Sequence, residues 1–260
     1  MTAIIATAPC SAHETGAGGF HVLHAFGSGT DGASPNAGLI MDRAGNLFGT
    51  TTSGGAYGYG TVFEVTPNRD ETVLYSFTGG SDGASPNAGL LADKSGNLFG
   101  TAATGGSLNG GVVFEVAQDG TETVLHAFTG EPDGATPLGA LISDKRGNMY
   151  GTTRLGGNGY GTVYRISATG TETVLDSFVF GPYPAYPRSH LILDKSGNLF
   201  GMSPQGGSEG YGTIFEIAAD GTETVLLSFT DGNNGGSDCR HGLILGVKPR
   251  FAILHKSKPQ

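Results

Sequence analysis

The stretch Asp42-Arg43-Ala44-Gly45-Asn46-Leu47-Phe48-Gly49-Thr50-Thr51 is written again from Asp93 to Ala102, from Asp144 to Thr153 and from Asp194 to Ser203, at intervals of 51, 51 and 50 residues. Phe26, Phe77, Phe128, Phe178 and Phe229 keep the same step. A self-similarity of about 50 residues means stacked supersecondary units, each burying its apolar face only against its neighbours. The repeat therefore outranks any single residue as a guide to the fold, and it favours one array over the one or two ordinary domains that length alone would suggest.

Within the first unit the apolar run Gly38-Leu39-Ile40-Met41 is too short for a helix and reads as a buried strand. Asp42-x-x-Gly45-Asn46 follows, with Gly45 where a type I turn needs a left-handed residue and Asp42 placed to cap the turn's own amides. Leu47 to Thr52, Gly60 to Val65 and Glu71 to Phe77 are then three further strands. Asp119-Gly120, Thr169-Gly170 and Asp220-Gly221 supply hairpin signals between the last two. Glycine at 47 of 260 residues suits many short strands joined by tight turns, and no segment sustains a helical period.

Four antiparallel strands per unit describe a propeller blade. The expectation is an all-β, single-domain β-propeller spanning 1–260, with repeats near 27–77, 78–128, 129–178 and 179–229. A fifth, composite blade would come from 1–26 together with 230–260. Leu243 to Leu245 and Phe251 to His255 would form its inner strands, Ala3 to Thr7 and Phe20 to Phe26 its outer ones. Such closure pairs edges that would otherwise invite aggregation. It would also bring Cys10 and Cys239 to one blade, where a disulfide requires Cα atoms within about 7 Å.

The formal charge of −9 argues against nucleic acid or an anionic membrane as partner. No apolar run approaches a transmembrane helix, and the first residues lack the basic start of a secretory signal. Two cysteines are too few for a disulfide framework or a metal cluster. A monomer is expected.

The pattern Gly-Leu-Ile-x-Asp-x-x-Gly-Asn-Leu-Phe-Gly-Thr-Thr, then Gly-Gly, then Tyr-Gly-Thr-Val-Phe-Glu-Val, then Thr-Glu-Thr-Val-Leu-x-x-Phe resembles the Gloeo_Verruco (GloVer) tandem repeat of bacterial proteins over roughly residues 20–245. Its strand order is also similar to NHL and gluconolactonase-like propellers. The resemblance implies a bacterial, exported propeller, periplasmic, extracellular or at the cell surface. It carries over no catalytic residues.

Several motifs are discounted on mechanism. The Asp-x-x-Gly-Asn segment lacks the alternating oxygen ligands and distal Glu of a calcium loop. Gly79-Gly80-Ser81-Asp82-Gly83 and Gly206-Gly207-Ser208-Glu209-Gly210 lack the helix a nucleophile elbow needs. Gly54 to Gly60 likewise lacks a helix N-terminus for a phosphate. His24 and His126, equivalent to Tyr75, Asp176 and Leu227, read as a solvated edge.

Two loops should share one end of the propeller: the tyrosine loop between second and third strands (Tyr59, Tyr160, Tyr211) and the Asp-Gly-Ala-Ser-Pro-Asn loop before the first strand. Asp31, Asp82 and Asp133 would make that end acidic. Tyr183, Tyr186, Arg188 and His190 break its symmetry, and Arg240 and His241 stand in nearly the same place one unit on. Because a site of unique chemistry must lie where copies differ, His190, His241, Arg188 and Arg240 are the catalytic candidates. The tyrosines and aspartates are the ligand-binding ones. Two readings stay open: a binding scaffold for a glycan, protein or small ligand, or a metal-dependent hydrolase of esters, lactones or phosphotriesters using calcium or zinc in the central channel.

Overall fold

In the computed structural model, residues 21–27, 29–179 and 181–230 are described, together with the backbone of strands Ala3–Thr7, Leu243–Leu245 and Phe251–Ile253. The expected strands are present in all four repeats, and the described residues contain no helix. The first sheet orders Ile40–Met41, Leu47–Thr51, Thr61–Val65 and Glu71–Ser76 as an antiparallel meander. Leu91–Ala92, Leu98–Thr104, Val112–Val116 and Glu122–Ala127 form the second. Ile142–Ser143, Met149–Leu155, Thr162–Ile166 and Glu172–Ser177 form the third, and Ile192–Leu193, Leu199–Ser203, Thr213–Ile217 and Glu223–Ser228 the fourth. By compactness the chain divides into two units, Met1–Gly106 with Val112–Leu125, and Ser107–Gly111 with His126–Gln260.

The turn that organises the repeat is built as its residues dictate. Gly45 lies at φ 90° and donates to the Asp42 carbonyl at 3.3 Å. One Asp42 carboxylate oxygen accepts from the amides of Ala44 and Asn46, at 2.8 and 2.9 Å, and the other from the Asn46 side chain at 3.0 Å. Asp93, Asp144 and Asp194 repeat this geometry. Every carboxylate oxygen is thus engaged by the turn itself, as the turn reading required.

The repeated Gly of Leu-Phe-Gly-Thr is needed for packing rather than for turning. In each sheet it pairs across the ladder with an aromatic residue of the third strand, as Gly49 with Phe63 and Gly201 with Phe215. A methyl group on Gly201 would sit 2.4 Å from the Phe215 ring and 2.9 Å from Leu191. Onto that same ring comes the Phe that ends the preceding repeat. Phe26 meets Phe63 edge-on at 4.7 Å, Phe77 meets Phe114 at 5.0 Å, Phe128 meets Tyr164 at 5.0 Å and Phe178 meets Phe215 at 5.1 Å. In the second unit Val163, Phe178, Leu191, Leu199, Phe215 and Ile217 close around this contact.

The segment expected as a loop before the first strand is instead the start of that strand. Ala84 and Pro86 pair with Thr104 and Ala102, and farther along the same strand Leu91 and Ala92 pair with Phe99 and Leu98. More residues pass on the inner side than on its partner, so the inner strand is bulged between its two paired pieces. Ala135–Pro137 pairs in the same manner in the third sheet, and Pro184–Ala185 pairs Gln205–Gly206 in the fourth repeat. The residue before each proline, Ser34, Ser85, Thr136 or Tyr186, has φ of 59°, 54°, 57° or 57°. In three of them the amide reaches back to the preceding repeat: Ser85 donates to the Tyr59 carbonyl at 2.9 Å, Thr136 to Gly110 at 2.7 Å and Tyr186 to Tyr160 at 2.8 Å.

At the chain ends, Ala3–Thr7 pairs His21–Phe26 and Leu243–Leu245 pairs Phe251–Ile253, as two separate two-stranded sheets. The first pairing is parallel, not antiparallel as in a blade meander. Cys10 and Cys239 lie outside the described residues.

Tyr164 stands where the other repeats carry Phe63, Phe114 and Phe215, and its buried hydroxyl has no hydrogen-bond partner. Burial drives its pKa upward. Removing an unsatisfied buried hydroxyl while keeping the ring relieves a desolvation cost, so Tyr164→Phe is expected to stabilise the protein by roughly 1 kcal/mol. Denaturant unfolding of the two proteins measures this, and a destabilised variant would refute it.

Candidate functional site

The tyrosines of the loop between second and third strands differ in setting. Tyr59 and Tyr211 are 48% and 43% exposed. The Tyr59 ring lies flat on Gly79, where a methyl group would come within 2.7 Å of three of its carbons. One face is therefore supported by backbone and the ring keeps substantial exposed surface. In the second unit Tyr160 is half-buried and leans on Tyr186, with ring centroids 5.4 Å apart and planes at 51°. The Arg154 guanidinium carbon lies 5.9 Å from the Tyr186 centroid, and Arg154 Nε is buried without a hydrogen-bond partner. Arg154 belongs to no motif noticed in the sequence, yet the equivalent positions hold Thr52, Ala103 and Pro204. That departure was the available signal.

Tyr186 is a bulky residue at positive φ preceding a proline, a combination disfavoured twice over. Its backbone is held there by the ladder of Ala185 with Gln205 and by its own amide bond to Tyr160. Tyr183 is 45% exposed on the same segment. Beyond Pro187 burial alternates: Ser189 is buried, with its hydroxyl at 3.4 Å from the Met202 carbonyl, while Arg188 and His190 are half-buried. Arg240 and His241 lie outside the described residues. Among the described residues no group of three or more His, Cys, Asp or Glu side chains is placed to hold a metal ion.

The aspartates of the Asp-Gly-Ala motif are turned into the fold. Asp82 and Asp133 are each 8% exposed. Asp82 accepts from the Thr78 hydroxyl and amide at 2.6 and 2.7 Å, from Gly80 at 3.2 Å and from Tyr75 Oη at 3.0 Å. Asp133 is held likewise by Thr129, with His126 Nε2 at 2.9 Å, and Asp31 by the Gly27 amide, with His24 at 3.4 Å. Burial alone would raise these carboxyls, but the hydrogen bonds outweigh it and keep all three below their ordinary range. His24 and His126, expected on a solvated edge, are part-buried and stack edge-on against Phe26 and Phe128 at 4.6 and 4.8 Å. The strand's alternation turns them inward, where the Asp gives them a partner. Where the third repeat passes into the fourth, both members change at once, to Asp176 and Tyr183.

A further carboxyl opens the fourth strand of every sheet: Glu71, Glu122, Glu172 and Glu223, each with one buried oxygen lacking a hydrogen-bond partner. Burial, then the Asp82 charge, pushes Glu122 to about 7. Burial, then Asp176, pushes Glu223 to about 7, and burial raises Asp176 too. Glu71 and Glu172 rise by burial against the nearby His24 and His126.

A model of the Gloeobacter/Verrucomicrobia repeat matches residues 12–158 and 139–248. Among solved structures, the extracellular domain of a candidate hybrid two-component system of B. thetaiotaomicron aligns at TM-score 0.54 and 10% identity, over 76% of this chain and 22% of its own. A gluconolactonase from Xanthomonas campestris aligns at TM-score 0.46 and 15% identity, over 72% of this chain and 61% of its own. A second candidate gluconolactonase aligns at 0.46 and 18%, over 74% and 63%. The chain thus spans about three fifths of the gluconolactonases it matches. No curated protein matches it. At these identities the structural likeness is one of fold alone.

The raised glutamates set the direction of pH dependence. Glu122 and Glu223 titrate near 4.5 when unfolded and near 7 when folded, so their contribution is complete below 4.5 and is lost as pH rises through 7. The depressed Asp82 and Asp133 act oppositely: their contribution is present above 3.8 and is lost as pH falls through their lowered values. The melting temperature is therefore expected to fall between pH 4.5 and 7, and Glu122→Gln with Glu223→Gln should flatten that fall. Calorimetric scans across this range check it; an equally steep decline in the double variant would show that these groups are not its source.

Proposed function

The chain belongs to the Gloeobacter/Verrucomicrobia repeat family, and from that premise we propose that it is an exported binding propeller whose tyrosine-bearing loops hold a glycan. The observation that carries this reading is the set of rings at one repeat position, Tyr59, Tyr160 and Tyr211, two of them more than 40% exposed and one backed flat by glycine. A supported aromatic face with solvent on its other side suits the C–H face of a sugar ring, which an apolar plane can cover while the hydroxyls stay wet. Repetition suits such a task, because a polymer of like residues can use several copies of one weak contact. Among the described residues no helix is long and apolar enough to cross a membrane.

Isothermal titration against a panel of neutral oligosaccharides tests the reading. The comparison is Tyr59→Gly, which installs the residue that the second repeat carries at Gly110. Affinity for the best ligand is expected to fall roughly three- to tenfold with melting unchanged. A panel with no binder, or a variant of unaltered affinity for the ligand found, would set the reading aside.

The same reading includes closure as five blades, the last composed from both chain ends.

A further inference from the structure

Arg154, Tyr160 and Tyr186 form a cluster whose three members come from separate segments of the second unit. It is confined to one place, because no other repeat carries an arginine at the Arg154 position or a tyrosine at the Tyr186 position. The backbone of Tyr186 holds φ 57° even with a large side chain, where Ser85 and Thr136 show that small residues serve the fold equally well. Strain of this kind at a bulky residue persists only when surrounding structure enforces it, and it marks sites where the side chain has a use. Arg154 adds a guanidinium beside the Tyr186 ring, with its Nε buried and unpartnered.

We infer that this cluster is a subsite for a carboxylate-bearing sugar, a pyranose of the uronic acid class. The inference rests on the glycan reading above and names its chemistry. The tyrosine pair offers the apolar surface on which a sugar ring lies. Arg154 offers a planar fork of donors that matches a planar carboxylate with two parallel hydrogen bonds, which an ammonium would not. A chain of net charge −9 repels polyanions, so the cluster is suited to a sugar unit with one charge rather than to a densely sulfated polymer. Tyr186 is the residue that joins the two functions, since it touches the Tyr160 ring and the guanidinium together.

The test uses the full chain and substitutions taken from its own repeats, so that folding is preserved: Arg154→Ala as at Ala103, Tyr160→Gly as at Gly110, and Tyr186→Ser as at Ser85. Binding is measured by calorimetry for an oligosaccharide with one glucuronic acid residue, for its counterpart with glucose there, and for a counterpart with sulfated glucose. The parent should prefer the uronate. Arg154→Ala should lower uronate affinity roughly tenfold or more while leaving the neutral sugar unchanged. Arg154→Lys should recover only part of the loss, and Tyr186→Ser should weaken both sugars. Equal binding of uronate and glucose forms by the parent, with no effect of Arg154→Ala, would overturn the subsite and leave the glycan reading standing. Preference for the sulfated form would overturn the carboxylate assignment. Binding of none of the three by the parent would overturn the subsite and the glycan reading together.

Discussion

One aromatic contact carries the repeat: the phenylalanine ending a repeat, as at Phe26, Phe77, Phe128 and Phe178, is set edge-on against the ring on the third strand of the next repeat, and that ring is itself folded over a glycine of the second strand. Phe77 on Phe114, with Gly100 beneath, shows all three members within the first unit, and Phe178, Phe215 and Gly201 show them in the second. Burial of two such rings is worth several kcal/mol, and the edge-on geometry adds to it. Because the contact joins successive repeats, a repeat cannot lose it without exposing its neighbour's core. The strict step of the phenylalanines along the chain follows from that dependence.

Around this contact the polar groups vary in matched sets. Thr51 and Thr61 share a buried hydrogen bond at 2.8 Å, as Thr153 and Thr162 do, whereas the second repeat pairs Ala102 with Val112 at the same register. Replacing both partners of a buried hydrogen bond by apolar groups costs little, while replacing one leaves an unsatisfied group. The same logic governs the donors at 24, 75 and 126 and their acceptors Asp31, Asp82 and Asp133. Where the third repeat puts an acid, Asp176, in the donor's place, the acceptor is gone as well, and Asp176 faces Glu223 instead. Tyr164 is an exception, a single change with no matching partner.

Chemistry that no neighbouring repeat shares gathers in the second unit. The left-handed residue before each proline is common property, and Ser85, Thr136 and Tyr186 share its amide bond to the preceding repeat, so the backbone there is set by the fold. What differs is the side chain it presents: a hydroxyl from Ser34, Ser85 and Thr136, a phenol ring from Tyr186. Fixed backbone with variable side chain is how a scaffold acquires a site without altering its packing.

How much of this was legible in the sequence depended on whether the cause was local. The four strands of each repeat, the Asp-capped turn at Asp42 and the absence of helix follow from short-range rules, namely alternation, run length and a glycine at the left-handed position of a turn, and the structure repeats them. The Gly-Ala-Ser-Pro stretch has the local punctuation of a loop in its glycine and proline, yet Ala84 and Pro86 pair with a strand nearly twenty residues away, and only the tertiary ladder supplies that partner. Asp82 looked like a surface acid because carboxylates usually are; its burial depends on Thr78 and Tyr75 converging on it, which no spacing rule encodes. Arg154 was overlooked for the same reason, being one residue in a strand until the fold set Tyr186 beside it. The sequence by itself determined the repeat, its strands and its turns, since those are decided within a few residues of backbone. Which side chains meet was decided by the stacking of one repeat on the next, because those contacts join residues that are distant in the chain.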